Sequence, residues 1–317
     1  MLIKAIIEGR KGKRVCLIDK DNAIGGAWKG FKYKDCWYEG ACHILDNKFK
    51  THEIYKTFGI PTKRVDYDII FSHKNKFYNI NNIFHAAYLK SIVSEKILLK
   101  KILLFLWHII KYNVFQKNKS FFFENGSQTM LNILSKQCIS NKNISMTLNT
   151  EIIKIKQIKG KWESITNKGL VFKSDKLYQS LGSSLIRKNE EILLKLVLHI
   201  IISGRVDKKF KYFKIIDSHY LQRISIQDEF NNKQLLILET KSIHKKKFNI
   251  GKVALETIQD FLSITRLKEK NVSIINKNVI NSSSLIGIPK DNIVQDNGIV
   301  INTKTLTSKH LIKLINI

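Results

Sequence analysis

Hydrophobic and polar positions along the chain divide it into short segments of differing period. Residues 1–13 predict an amphipathic helix running into a basic turn, and 14–19 (RVCLID) a short apolar strand ending in an acid. Residues 21–43 read as a loop with Gly25, Gly26, Gly30 and Gly40 and an aromatic cluster of Trp28, Phe31, Tyr33, Trp37 and Tyr38. From about 50 to 115 the pattern is mostly helical, interrupted near Gly59-Ile60-Pro61 and between Asn79 and Asn82. Residues 127–138 have apolar spacing suited to a helix, with Met130, Leu131 and Leu134 on one face and Ser127 as its cap.

Strands follow at 144–149, 151–158, 161–166 and 169–173, a meander with turns at Lys159-Gly160 and Asn167-Lys168-Gly169. A further set is predicted at 211–217, 220–227 and 234–240, then a helix over 252–268 and a strand over 271–280. The last thirty residues are irregular and no repeat has a fixed period. Helices and strands interleave, which places the chain among α/β or α+β proteins.

Composition narrows the class. The 317 residues allow one large domain or two modest ones. An apolar fraction of 44% excludes wholesale disorder, and two prolines with fifteen glycines exclude collagen-like designs. Four scattered cysteines, Cys16, Cys36, Cys42 and Cys138, do not make a disulfide scaffold, so a cytoplasmic location is the default expectation. No secretory signal is visible. The most apolar stretch, Ile102–Ile110, is about half the length of a spanning helix. Within 97–111 it reads either as a buried helix or as an interfacial one, with flanking Lys on acidic headgroups and Trp107 at the boundary.

A formal charge of +29 points toward anionic partners, but Lys outnumbers Arg 48 to seven. Reading bases or clamping phosphates favours the Arg fork. Abundant Lys, Ile and Asn together also fit drift in an AT-rich coding sequence. An anionic small molecule and a membrane surface remain as readings of the charge. Nucleic acid is disfavoured, because the aromatics concentrate at 28–38, far from the basic run His244–Lys247.

The segment richest in chemistry is 14–43. A hydrophobic strand ending in Asp19 is what a dinucleotide-binding unit places at the end of its second strand, where a carboxylate accepts hydrogen bonds from ribose hydroxyls. Six residues on, Gly25-Gly26 lets backbone pass close to a ligand, since no Cβ intervenes. An ordinary surface turn after a core strand explains either element alone.

VCLIDKDNAIGGAW resembles the second strand and double-glycine segment of the FAD-dependent amine oxidase and protoporphyrinogen oxidase-like superfamily, which includes the UDP-galactopyranose mutases. EGACHIL is similar to the Gly-x-x-His stretch of the mutase-like branch. FFENGSQTMLNILSKQ resembles the segment in which a Gly starts the helix returning to the flavin domain. LNTEIIKI resembles the strand whose apolar residue packs on adenine, with Ile155 in the core. The resemblance covers about residues 1–185; beyond that, YLQRISIQDEF is similar to a substrate-domain strand pair with an internal Arg.

The resemblance implies an α/β fold, an incomplete FAD/NAD(P)-binding Rossmann-like domain with an interleaved α+β substrate domain. The FAD-binding domain would comprise 1–45 and 118–185, with 285–317 as a candidate third piece, and the substrate domain 46–117 and 186–284. Implied cofactor residues are Asp19, Lys20, Gly25, Gly26, Trp28, His43 and Ile152, with Arg223 on the substrate. The implied function is an FAD-dependent oxidoreductase or flavin-dependent mutase acting on an anionic small molecule such as a nucleotide sugar or a lipid-linked sugar. No catalytic acid or base stands out.

The family begins with a strand and a G-x-G-x-x-G turn that holds pyrophosphate at a helix N-terminus. LIKAIIEGRKGKRV corresponds to the middle of that helix, so the expectation is a fragment of a longer gene or a lineage that has lost flavin binding. The rival classes are accordingly a degenerate, non-catalytic relative and a basic membrane or nucleic-acid binder. Arg223 itself reads either as a fork for diphosphate or carboxylate, or as an ion-pair partner of Asp217, Asp228 or Glu239. Cys36, Cys42 and His43 match no common zinc spacing, so no metal is expected, and Cys42 reads as a small buried filler. His43 alone reads as a structural residue.

Overall fold

The computed structural model of the chain describes residues 2–41, 45–46, 51–65, 69–74, 76–79, 82–92, 120–178, 193–281, 295–296 and 299–300. Helix Leu2–Arg10 buries Ile3, Ile6 and Ile7, the i, i+3, i+4 positions of one face. Gly12, at φ +78°, ends it in the left-handed conformation that glycine adopts without strain. The chain then enters strand Val15–Ile18, which pairs in parallel with Ile144–Thr147. Helix Gly126–Ile139 covers this pair, and Met130, Leu131, Leu134 and Cys138 complete a shared core with the first helix. Burial pushes the Cys138 thiol up to about 11, so it stays protonated.

The larger core belongs to an eight-stranded sheet. Strand Leu193–Ser203 has Lys233–Thr240 and then Ile243–His244 along one side and Val272–Asn281 along the other. Beyond Lys233–Thr240 come Leu221–Phe230, Phe213–Ile215, Ile70–His73 and Lys76–Asn79. One face, including Leu196, Leu198, Ile200, Ile224, Leu236 and Leu238, is covered by helix Ile250–Thr265 through Val253, Ala254, Ile258 and Phe261. Asn249 caps that helix by accepting from the Lys252 N–H at 3.0 Å. Because strand residues alternate between faces, Lys195, Val197 and His199 lie on the second face with their cross-strand partners Ile237 and Glu239.

The meander forms at Ile152–Ile158, Lys161–Thr166 and Val171–Ser174, its turns using Lys159 and Gly160 at positive φ and Gly169 at +74°. Ile155 is half-buried there rather than a core residue. Leu177–Tyr178 pairs in parallel with Ile299–Val300.

Three expectations change. The loop 21–43 contains a hairpin, Phe31–Tyr33 with Cys36–Tyr38, turned by Lys34 and Asp35 at positive φ. The supposedly helical stretch holds two helices, Thr51–Thr57 and Ile83–Ile92, but the described residues between them form strands Thr62–Arg64, Ile70–His73 and Lys76–Asn79. These add to existing sheet edges, a tertiary preference that local period does not encode. Ser127 is not the helix cap: Asn125 occupies that position without a side-chain bond, and Ser127 is buried in the first turn.

Candidate functional site

Asp19 stands just past the C-terminal end of strand Val15–Ile18. Its N–H donates to the Thr147 carbonyl at 3.0 Å, and its own carbonyl accepts from Thr150 N–H at 3.0 Å. Asn149 N–H donates to the Asp21 carbonyl at the same distance, so 19–21 and 149–150 are laced together two residues before Ile152. One Asp19 carboxylate oxygen accepts from Asp21 N–H at 3.1 Å, which fixes the half-buried side chain at the strand end. Lys20 beside it is exposed.

The glycine loop is held from below. Gly25 sits at φ +133°, and a Cβ there would lie 2.5 Å from Leu131 Cδ1, so helix Gly126–Ile139 requires the missing side chain. Gly26, at φ +51°, has open space instead. Trp28, half-buried, meets Phe123 edge to face at 5.8 Å. Lys29 pairs with Asp21 at 2.8 Å, and Gly30 N–H donates to Gln128 Oε1 at 2.9 Å.

From this loop the hairpin runs onto the second face of the large sheet. Phe31 packs on the His199 ring with centroids 4.5 Å apart, and the Tyr38 hydroxyl donates to Asp228 at 2.9 Å. Burial and that bond to Asp228 push the Tyr38 pKa well above the usual range. Glu39 ties three parts together: its carbonyl meets His199 Nε2 at 2.9 Å and its carboxylate accepts from Ser127 N–H at 2.8 Å. An acid at a helix N-terminus satisfies free N–H groups and complements the dipole.

Further along the same face lies a charged cluster. Lys195 Nζ contacts Glu239 Oε1 at 2.7 Å and Gln222 Oε1 at 2.9 Å, while Arg223 Nη1 reaches Glu239 Oε2 at 3.4 Å. The Lys195 and Glu239 side chains are only 11% and 6% exposed and Arg223 26%, so this is an inner pair with Arg223 at its more exposed edge. Lys214 is the cross-strand partner of Arg223. Its pKa is pushed down by burial first, then by Arg223 and Lys195.

Of the residues singled out in the sequence, Asp19, Lys20, Gly25, Gly26, Trp28 and Ile152 fall on one continuous stretch of strand end, loop and neighbouring strand. Arg223 lies on the sheet, and of its three candidate acids it pairs with Glu239. His43, Cys42 and 97–111 lie outside the described residues. Lys195, Lys214, His199 and Glu39 went unread. A Lys and a His inside the apolar run LLKLVLHIIIS are the available signal, because polar groups so placed must have partners. Among the described residues no group of three or more His, Cys, Asp or Glu is placed to hold a metal, and no helix is long and apolar enough to cross a membrane.

The adenosine end of a dinucleotide fits what is present: a carboxylate fixed at a strand's C-terminal end, with Ile152 two residues beyond the Thr150 N–H that donates to the Asp19 carbonyl. The N-terminus of helix Gly126–Ile139 is not a pyrophosphate site, because the Glu39 carboxylate already takes its Ser127 N–H.

No protein-family model matches the sequence and no curated protein matches it. Solved structures do. A protein from Pyrococcus furiosus is similar over 99% of this chain and 95% of its own, with a TM-score of 0.64 at 12% identity. An oxidoreductase from Methanosarcina mazei matches 89% of this chain and 86% of its own, TM-score 0.63 at 13% identity. A reduced UDP-galactopyranose mutase matches 88% and 80%, TM-score 0.60 at 12% identity. This chain therefore has the mixed α/β fold of a group of solved oxidoreductases and a mutase.

Proposed function

We propose that this chain is a flavin-dependent oxidoreductase or mutase of the amine oxidase-like type, acting on an anionic small molecule, with nucleotide sugars and lipid-linked sugars as the first class to try. The observation that carries it is the path from Asp19 through the glycine loop to the hairpin, which ends against a sheet face bearing Lys195, Arg223 and Lys214. The fold shared with an oxidoreductase and a mutase supports the same reading.

In this reading Asp19 accepts hydrogen bonds from the adenosine ribose, with Lys20 flanking it, and Ile152 lies against adenine. Gly25 and Gly26 let the backbone pass the cofactor, and Trp28 and His43 stand near it. Arg223 binds the substrate's anionic group. When bound, FAD supplies the redox chemistry, taking up or returning an electron pair. The chain's residues orient both molecules and set the local field.

The test is an absorbance scan of the purified protein, native and denatured, for a stoichiometric flavin band near about 450 nm. Asp19→Asn keeps the oxygen that accepts from Asp21 yet removes the charge, so flavin affinity should drop about tenfold with the fold intact. A folded, colourless protein that takes up no added FAD sinks the reading and leaves a non-catalytic relative of the same fold. That second reading is favoured by His199, whose ring nitrogens both have partners within the protein. Membrane contact through 97–111 is a separate proposal, tested by co-sedimentation with acidic vesicles at rising salt.

A further inference from the structure

We propose that Lys214 and Arg223 together form an oxyanion subsite on the second face of the large sheet, taking the phosphate or carboxylate of a small-molecule ligand. The inference rests on the reading of that face as substrate-binding and specifies the group recognised there.

Lys214 and Arg223 are direct partners across strands Phe213–Ile215 and Leu221–Phe230. Phe213 and Ile215 point into the core under helix Ile250–Thr265, so Lys214 between them is on the opposite face. Like charges directly opposite on neighbouring strands destabilise a sheet. Glu239, the partner of Arg223 on the next strand, offers compensation, but one of its oxygens is taken by Lys195 and the other by Arg223. Among the described residues no carboxylate stands within ion-pair distance of Lys214, whose ammonium lies 5.3 Å from the centre of the Phe71 ring. Phe71 is in turn the parallel-strand partner of Lys214 and part of the apolar patch with Ile69, Val197, Tyr212 and Ile237.

The arrangement is thus a half-buried ammonium beside a guanidinium already oriented by Glu239, walled on one side by an aromatic ring. Burial and the two neighbouring cations disfavour the charged form of Lys214, and Glu239 offsets them only in part. An oxyanion bridging Lys214 and Arg223 supplies the remaining counter-charge and accepts hydrogen bonds from both.

The experiment is calorimetric titration of the flavin-free chain with inorganic pyrophosphate and, separately, acetate, against chloride at matched ionic strength. It uses the wild type, Lys214→Met and Lys214→Arg. Wild type should bind at least one probe beyond chloride, Lys214→Met at least about tenfold more weakly, and Lys214→Arg within about threefold of wild type. Which probe binds separates a phosphate ligand from a carboxylate one. Without any anion Lys214→Met should melt at a higher temperature than wild type, because an incompletely compensated cation has gone. Wild type binding neither probe beyond chloride, or Lys214→Met binding as wild type does, overturns the subsite. A parallel flavin titration at about 450 nm keeps the two readings apart. A colourless chain that still loses anion binding in Lys214→Met retains the subsite and sinks the flavin reading. A coloured chain indifferent to Lys214→Met does the reverse.

Discussion

His199 and Asn276 face each other across strands Leu193–Ser203 and Val272–Asn281, and Asn276 Nδ2 donates to His199 Nδ1 at 3.2 Å. Nε2 therefore carries the hydrogen, which it gives to the Glu39 carbonyl at 2.9 Å. The ring is fully buried and neutral, and burial lowers its pKa from the ordinary 6.5.

A histidine whose folded pKa is depressed favours the native state fully above its unfolded pKa. That contribution is lost as pH falls below about 6.5, at up to about 1.4 kcal/mol per pH unit. Urea denaturation between pH 7.5 and 5 should show this fall. His199→Ala should cost about 2–4 kcal/mol at neutral pH, from the cavity and the two lost bonds, and should flatten the pH dependence. A flat wild-type profile across that range contradicts a neutral, buried His199.

Three glycines should rank by what a methyl group would meet. At Gly40 a Cβ would lie 1.8 Å from the Lys29 carbonyl oxygen, and backbone cannot swing aside as a side chain does. Gly25→Ala meets a movable Leu131 side chain while also straining φ, and Gly26→Ala meets open space at φ +51°. Thermal melts should therefore give the largest loss for Gly40→Ala, an intermediate loss of about 1–3 kcal/mol for Gly25→Ala, and about 1 kcal/mol for Gly26→Ala. The reverse order would show that the loop and hairpin are not packed as described.

Glu239→Ala removes the carboxylate between Lys195 and Arg223 and leaves two largely buried cations facing each other. The expected loss is about 3–5 kcal/mol in chemical denaturation. Asp175→Ala, which breaks only an exposed pair with Lys161, should change nothing measurable. Equal effects would mean that burial does not govern these ion pairs.

Glu8 lies on the buried side of the first helix and receives Lys13 and Lys4. Burial alone would raise its pKa, yet the bonds from the two lysines prevail and bring it from 4.5 down to about 2. Its stabilisation is complete above about pH 4.5 and is lost as pH falls toward about 2. Glu8→Gln should cost about 1–3 kcal/mol at pH 7 and remove that acid limb from the stability profile. An unchanged acid limb in the variant would assign it to other carboxylates.

Segments with a regular period were legible in the sequence. The meander alternates, and helices Gly126–Ile139 and Ile250–Thr265 carry apolar stripes, so all were anticipated to within a few residues. Leu193–Ser203 was not, because a strand covered on both faces is apolar throughout and has no period to detect. With it went Lys195 and His199. Glu39 gives no local sign either, since the Ser127 N–H it accepts from lies 88 residues later. Arg223 was visible as a rare arginine, but only strand register selects Glu239 from three nearby acids. The Asp19 strand end was legible because its chemistry is local: an apolar strand, an acid, then glycines.

The pairing of Val15–Ile18 with Ile144–Thr147 has a kinetic consequence. Cys16 and Thr147, neighbours across it at 3.9 Å, are 131 residues apart in the chain. During synthesis the first strand emerges long before its partner exists and must wait unpaired, whereas Leu221–Phe230 and Lys233–Thr240 close a hairpin across two residues. Closing the longer loop carries the greater entropic cost, so once the chain is complete that hairpin should form before the Asp19 unit closes. Any ligand held at Asp19 is then captured only after residues 144–150 have docked beside the first strand.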